Sequence, residues 1–371
     1  MTDTLGAIRR AKNILVIQLG DIGDVVLTTP SLRALKETLP EAKVSALVRR
    51  GFGSLLEEDP NLHEVIEVAK SRGKLAEIGG ENFRLIRRLR RVKYDLAIDL
   101  RTGDRGTILA FLTGAPVKVT RYDPGRPFWH NRIFNHRIMN AGIGGPPVHP
   151  GVDLSLRLLR TLGIDTADST PRLWVSKEAV EGIRSMLQAD PAAAGCRWAT
   201  ANPFSRWKYK EWGRDRWIEL IGWLWNEHGL RTVLVGSRDE AGAAEGIASK
   251  CGGGALNFAG KTTLGELAAL LSLSTIHLGV DSAAPHIAFA VGTPSVTIFG
   301  PSDWRVWTVQ DDIHRIVTPD DDCVPCQKKG CDGKERSVCL ENMGTEKMKA
   351  AVGEILRAPG RRTATRRAGL P

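Results

Sequence analysis

Apolar residues along this 371-residue chain fall into short runs separated by longer amphipathic stretches. Residues 14–19, Ile-Leu-Val-Ile-Gln-Leu, are almost continuously apolar, as a strand buried on both faces of a parallel sheet requires. A helical pattern over 24–39 follows, then strands at 44–48, 65–68 and 96–100, with a basic amphipathic helix at 75–92 between the last two. The stretch 122–150 breaks this rhythm. Pro124, Pro127, Pro146, Pro147 and Pro150 surround Phe128, Trp129, His130 and His136 there, which predicts a long functional or mobile loop. After a helix at 152–162 and a connection at 164–176 the rhythm restarts. Strands at 198–201, 232–235, 276–278 and 296–299 alternate with helices at 214–228, 240–250, 264–271 and 284–291, and a last helix covers 343–356. The repeated strand-helix order predicts an α/β protein of two facing, doubly wound, Rossmann-like domains with a cleft between them.

Length agrees with two domains, because a single core stops growing near ~250–300 residues. With 42% apolar and 25% charged residues, the chain has the composition of a folded globular protein. A formal net charge of +10 points to an acidic partner: a nucleic acid, an anionic membrane surface or a phosphorylated substrate. No apolar run reaches the ~20 residues that cross a bilayer, and residues 1–12 lack the pattern of a secretory leader. The expected location is therefore the cytoplasm, with at most peripheral contact at the cytoplasmic face of the inner membrane.

Three segments carry candidate chemistry, each directly after a predicted strand. In Leu19-Gly20-Asp21-Ile22-Gly23-Asp24-Val25 the glycine spacing is not the dinucleotide fingerprint, which needs a third glycine. Asp24 is either a helix cap or a carboxylate held ionised at a helix start. In the stretch Asn202-Pro203-Phe204-Ser205-Arg206-Trp207-Lys208-Tyr209-Lys210-Glu211-Trp212 the hydroxyl and the cations suit a diphosphate, unless the loop is merely solvated and its tryptophans pack on the helix after it. In Gly279-Val280-Asp281-Ser282-Ala283-Ala284-Pro285-His286 a helix begins among small side chains, either as an anion site at the backbone or as a plain Asp or Ser cap with His286 in the core.

The six cysteines include Cys323, Cys326, Cys331 and Cys339, spaced to hold a structural zinc ion, to remain reduced thiols, or to form disulfides. Asp320-Asp321-Asp322 reads as a solvated acidic turn. The absence of G-x-S-x-G, Walker and H-E-x-x-H motifs removes support for hydrolase and phosphoryl-transfer classes.

Taken in order, these segments resemble the glycosyltransferase family 9 heptosyltransferases, over residues 14 to about 356. The resemblance is carried by the run from Ile14 to Pro30, by Tyr94-Asp95-Leu96-Ala97-Ile98-Asp99-Leu100, by Gly260-Lys261-Thr262-Thr263-Leu264-Gly265-Glu266-Leu267, and by Asp281, Ser282 and His286 with Gly292-Thr293-Pro294 and Phe299-Gly300-Pro301-Ser302-Asp303. Ser205-Arg206-Trp207 with Lys210 and Trp212 is most similar to the third, branching inner-core heptosyltransferase. The resemblance implies a GT-B fold. Residues 1–168 would be the acceptor-binding domain, 169–342 the nucleotide-sugar domain, 343–357 a helix returning to the first domain and 358–371 a basic tail.

It further implies an inverting, metal-independent transfer of heptose from ADP-heptose, with no cofactor, to a phosphorylated, lipid-linked saccharide of the lipopolysaccharide inner core. Asp24 would be the base. Ser205, Arg206, Lys210, Asp281, Ser282, Ala283, Ala284 and His286 would hold the donor, and Gly23, Arg101 and Arg121 would lie on the acceptor side. Two departures stand out: Ala283 replaces a usual glycine, and Asn202-Pro203-Phe204 replaces a common His-Pro-Gly. The alternatives are a GT-B transferase or epimerase using another nucleotide sugar, or a basic nucleic-acid-binding protein.

Overall fold

The computed structural model describes residues 2–69, 80–138, 150–189 and 195–357. The basic tail, the prolines at 146 and 147 and the first residues of the helix expected at 75–92 lie outside the described residues. The chain divides into two compact units, Met1–Pro171 and Arg172–Pro371.

In the first unit the strands are β1 (Asn13–Gln18), β2 (Lys43–Arg49), β3 (Glu64–Val68), β4 (Leu96–Asp99), β5 (Val117–Arg121) and β6 (His136–Ile138). They form one parallel sheet in the order β3-β2-β1-β4-β5-β6. In the second unit β7 (Arg197–Asn202), β8 (Leu230–Leu234), β9 (Ala255–Asn257), β10 (Ile276–Val280), β11 (Ser295–Ile298) and β12 (His314–Val317) form a parallel sheet in the order β12-β11-β10-β7-β8-β9. Counted within each unit, both sheets run 3-2-1-4-5-6, the order of dinucleotide-binding folds. Strand order reverses between β1 and β4, and between β7 and β10. The crevice outside the carboxyl ends at such a reversal is where open α/β sheets bind ligands.

The central strands are buried on both faces, which is why β1 reads as a nearly unbroken apolar run. Ile14, Leu15 and Ile17 of β1, and Ile276, Leu278 and Val280 of β10, are fully buried. Helices close the faces with ordinary end chemistry. Thr263 and Glu266 form a reciprocal capping box before Leu264–Ser272. Gly229 ends Arg214–His228 at φ 59°, a left-handed turn that glycine adopts without strain.

Several elements depart from expectation. The stretch 122–150 is not one long loop: within its described part Phe128–Ile133 is a helix and β6 adds the edge strand. A short helix, Val338–Asn342, precedes the helix expected at 343–356, which spans Glu346–Arg357. The latter, read from the sequence as returning to the first domain, packs on β11 and β12, and its Met348 and Val352 are buried in the core of the second unit. No helix among the described residues is long and apolar enough to cross a membrane.

Candidate functional site

At the reversal in the first sheet, Asp21 caps the helix Ile22–Thr38 and Asp24 is its third residue. The Asp21 N–H donates to Asp24 Oδ2 at 2.8 Å, and Arg101 NH1 donates to Asp24 Oδ1 at 2.9 Å. Capping and the ion pair thus share one carboxylate, whose side chain keeps 16% of its surface exposed. A carboxylate offers about four acceptor positions, so two remain for an incoming hydroxyl. Gly20 makes this possible: a Cβ there would lie 2.4 Å from Asp24 Oδ2. Gly23 is the second helical residue. Underneath, Gln18 Oε1 accepts the Gly20 N–H at 3.0 Å, and Gln18 Nε2 donates to Thr28 Oγ1 at 2.6 Å, fixing the turn to the helix.

Arg101 reaches Asp24 from the end of β4. The turn that presents it holds Thr102 at φ 54°, a conformation costing a β-branched residue on the order of 1–3 kcal/mol. Asp99 supports the turn by accepting the Arg101 N–H at 3.1 Å. Asp99 is fully buried, and burial pushes its carboxyl up to about 7 against the lowering influence of the Arg101 and Thr102 amides and of Arg121 and Arg101. Arg121, at the end of β5, is lowered by its own burial, and its Nε has no hydrogen-bond partner among the described residues.

A test of stability follows for Asp99. Below about pH 4 its carboxyl is protonated in folded and unfolded chains alike. Between about 4 and 7 the folded chain keeps a proton that the unfolded chain has lost, so stability drains as pH rises through this window. The loss is on the order of a few kcal/mol and is complete above about pH 7. Asp99→Asn does not titrate, so its melting temperature relative to the parent is expected to rise by several degrees between pH 5 and pH 8. An unchanged difference across that range contradicts a buried, proton-holding Asp99.

At the reversal in the second sheet, two candidate segments converge. Lys210 Nζ pairs with Asp281 Oδ2 at 2.6 Å, both side chains being largely buried. Ser205 Oγ donates to the Asp281 carbonyl at 3.2 Å, and Asn202 Nδ2 donates to Ser282 Oγ at 3.1 Å. Ser282 precedes the helix Ala283–Ala290 but makes no side-chain cap. Its first amides, on Ala283 and Ala284, have no partner within the helix, and Pro285 brings no N–H of its own. With two small side chains in front, this helix start is suited to anionic oxygens. His286 is half-buried within the same helix, and Ala284 is buried.

Arg206 is exposed, its guanidinium 5.1 Å from the Trp207 ring centroid. Lys208 is likewise exposed and pairs with Glu211 at 2.8 Å. Trp212 is buried and donates through Nε1 to the Met343 carbonyl at 2.9 Å. Of the Cys-rich segment, Cys339 is buried in the second unit's core, which pushes its thiol up to about 11, while Cys323 is exposed. All four thiols are free, and among the described residues no three His, Cys, Asp or Glu side chains are grouped to hold a metal ion.

Sequence reasoning named Asn202 and Asp99 only within longer motifs and gave neither a role of its own. The available signal was a polar side chain closing an apolar strand, which becomes informative only once strand order is known.

Four similarities bear on this arrangement. The model of glycosyltransferase family 9 (heptosyltransferase) matches residues 82–336. Lipopolysaccharide heptosyltransferase 3 of Escherichia coli is 30% identical over 296 residues, covering 77% of this chain and 84% of that protein. Among solved structures, a family 9 glycosyl transferase from Veillonella parvula superposes with a TM-score of 0.78 at 22% identity, over 94% of this chain and 98% of that one. The Escherichia coli heptosyltransferase WaaC with ADP-2-deoxy-2-fluoro heptose superposes at 0.66 and 21% identity, over 92% and 99%. At these identities the two structures establish the shared GT-B fold.

Proposed function

Because the chain belongs to glycosyltransferase family 9, and is therefore a glycosyltransferase, we propose that it transfers heptose from ADP-heptose to the inner core of lipopolysaccharide, with inversion and without a metal ion. The sugar and acceptor class rest on the heptosyltransferase relatives, and the donor nucleotide on the ADP-sugar analogue named for the WaaC structure.

Asp24 takes the proton of an acceptor hydroxyl as that oxygen bonds to the anomeric carbon. The bond from that carbon to the diphosphate breaks on the opposite face, and the electron pair leaves with ADP. One displacement inverts the centre. Lys210 and the amides of Ala283 and Ala284 meet the charge that develops on the departing diphosphate, the task a divalent cation performs in other transferases. Arg101 and Arg121 receive anionic groups of the acceptor. The acceptor is a phosphorylated, lipid-linked saccharide, met at the cytoplasmic face of the inner membrane.

The observation that carries this reading is the Lys210–Asp281 pair beside an uncapped helix start at a strand-order reversal. Calorimetry with ADP-heptose, ADP and UDP-sugars tests it, together with transfer assays in EDTA and NMR of the product's anomeric configuration. We expect ADP-heptose to bind in competition with ADP, turnover to persist in EDTA, and the anomer to invert. Preference for a UDP-sugar, loss of turnover in EDTA, or a retained anomer each overturns the corresponding part.

A further inference from the structure

Two helices of the first unit carry surface side chains that the site does not use. Gly80–Val92 joins β3 to β4 and Asp104–Leu112 joins β4 to β5. Both crossovers run in the same direction across the sheet, so both helices lie on one of its faces. Their inner sides share a core through Leu89, Leu109 and Ala110, and Arg90 Nε donates to the Leu112 carbonyl at 3.2 Å. On their outer sides Phe83 is 67% exposed, Phe111 56% and Ile108 48%.

Arg84, Arg87 and Arg91 are exposed beside Phe83, spaced so that they share one helical face. Among the described residues Arg88 pairs with Glu64, whereas Arg84, Arg87 and Arg91 have no ion-pair partner. Like charges at these spacings repel one another, so the helix gains from an anionic surface that neutralises them.

We infer that this two-helix face docks the protein on an anionic phospholipid bilayer. Phe83, Ile108 and Phe111 enter the boundary between headgroups and acyl chains, and Arg84, Arg87 and Arg91 meet the lipid phosphates. The combination distinguishes a bilayer from a nucleic acid. Single strands are bound by basic grooves in which aromatic rings stack on bases, whereas the aliphatic Ile108 has no base to stack on and suits acyl chains. The helix bearing Ile108 and Phe111 starts three residues after Arg101. Docking would therefore hold the Asp24–Arg101 turn roughly one nine-residue helix, about 14 Å, from this contact.

The inference stands apart from the proposed transfer, because its test contains neither donor nor saccharide acceptor. The full chain is sedimented with vesicles of phosphatidylcholine alone and of phosphatidylcholine with phosphatidylglycerol. Binding is expected to the anionic vesicles and to weaken with salt. The triple substitution Arg84→Gln, Arg87→Gln, Arg91→Gln is expected to weaken it about 100-fold, roughly fivefold per arginine. The double substitution Phe83→Ser, Phe111→Ser is expected to weaken it at least about tenfold with net charge unchanged. These positions are exposed, so the melting temperature should not move. Equal affinity for both vesicle types, unaffected binding by both variants, or tighter binding of the parent to single-stranded RNA than to anionic vesicles overturns the inference.

Discussion

Asp24→Asn is expected to lower turnover by about 10²–10⁴-fold while donor affinity stays within about twofold. The substitution is nearly isosteric, and its amide oxygen can still accept either the Asp21 N–H or the Arg101 guanidinium, the two donors that hold Asp24 now. What it cannot do is take a proton from an attacking hydroxyl. Stability should change little, because Arg101 is 40% exposed and a pair so placed contributes at most about 1 kcal/mol. Arg101→Gln is the matched control, removing the ion pair while leaving the carboxylate. Steady-state kinetics of both variants, with calorimetry of donor binding, separate the roles. If the Asn variant turns over like the parent, Asp24 is a helix-capping residue and the base lies elsewhere.

The second large effect is expected at Lys210. Lys210→Met removes the cation that faces Asp281 and leaves that carboxylate 10% exposed without its partner. Breaking a buried pair in this way is expensive, and about 3 kcal/mol of stability should be lost. Donor-dependent turnover should fall by roughly 10²–10³-fold, the scale seen when a group stabilising developing negative charge is deleted. A double variant, Lys210→Met with Asp281→Asn, distinguishes the two losses. Removing the stranded charge should restore most of the melting temperature, yet leave turnover at the level of the single variant. Recovery of both would make the pair a structural strut with no part in holding the diphosphate.

Most strands legible in the sequence share one physical property, burial on both faces of a parallel sheet, the edge strand β3 being the exception. β1, β2 and β10 are such strands, and their mostly apolar residues leave few other local structures possible. Strands that end a sheet, or approach its edge, are different. β6 is His-Arg-Ile, β12 is His-Arg-Ile-Val, and β5 alternates Val-Lys-Val-Thr-Arg. These residues become strands because a neighbouring strand supplies hydrogen-bond partners, which no local pattern records. The same reason explains why 122–150 read as a loop.

The site divides along the same line. A glycine, acid or hydroxyl placed directly after a buried strand is a local feature, so the turns at Asp24, Ser205 and Asp281 could be found by reading along the chain. Which of these groups face one another could not. Arg101 and Asp24 are 77 residues apart, and Lys210 and Asp281 are 71 apart. Each pair forms because its strands are neighbours at a reversal of strand order, β1 beside β4 and β7 beside β10. The sequence by itself determined the strands and the chemistry at their ends, because both follow from short-range burial and backbone preference. Only the tertiary structure decided the partners, because strand adjacency is settled by long-range pairing across whole sheets.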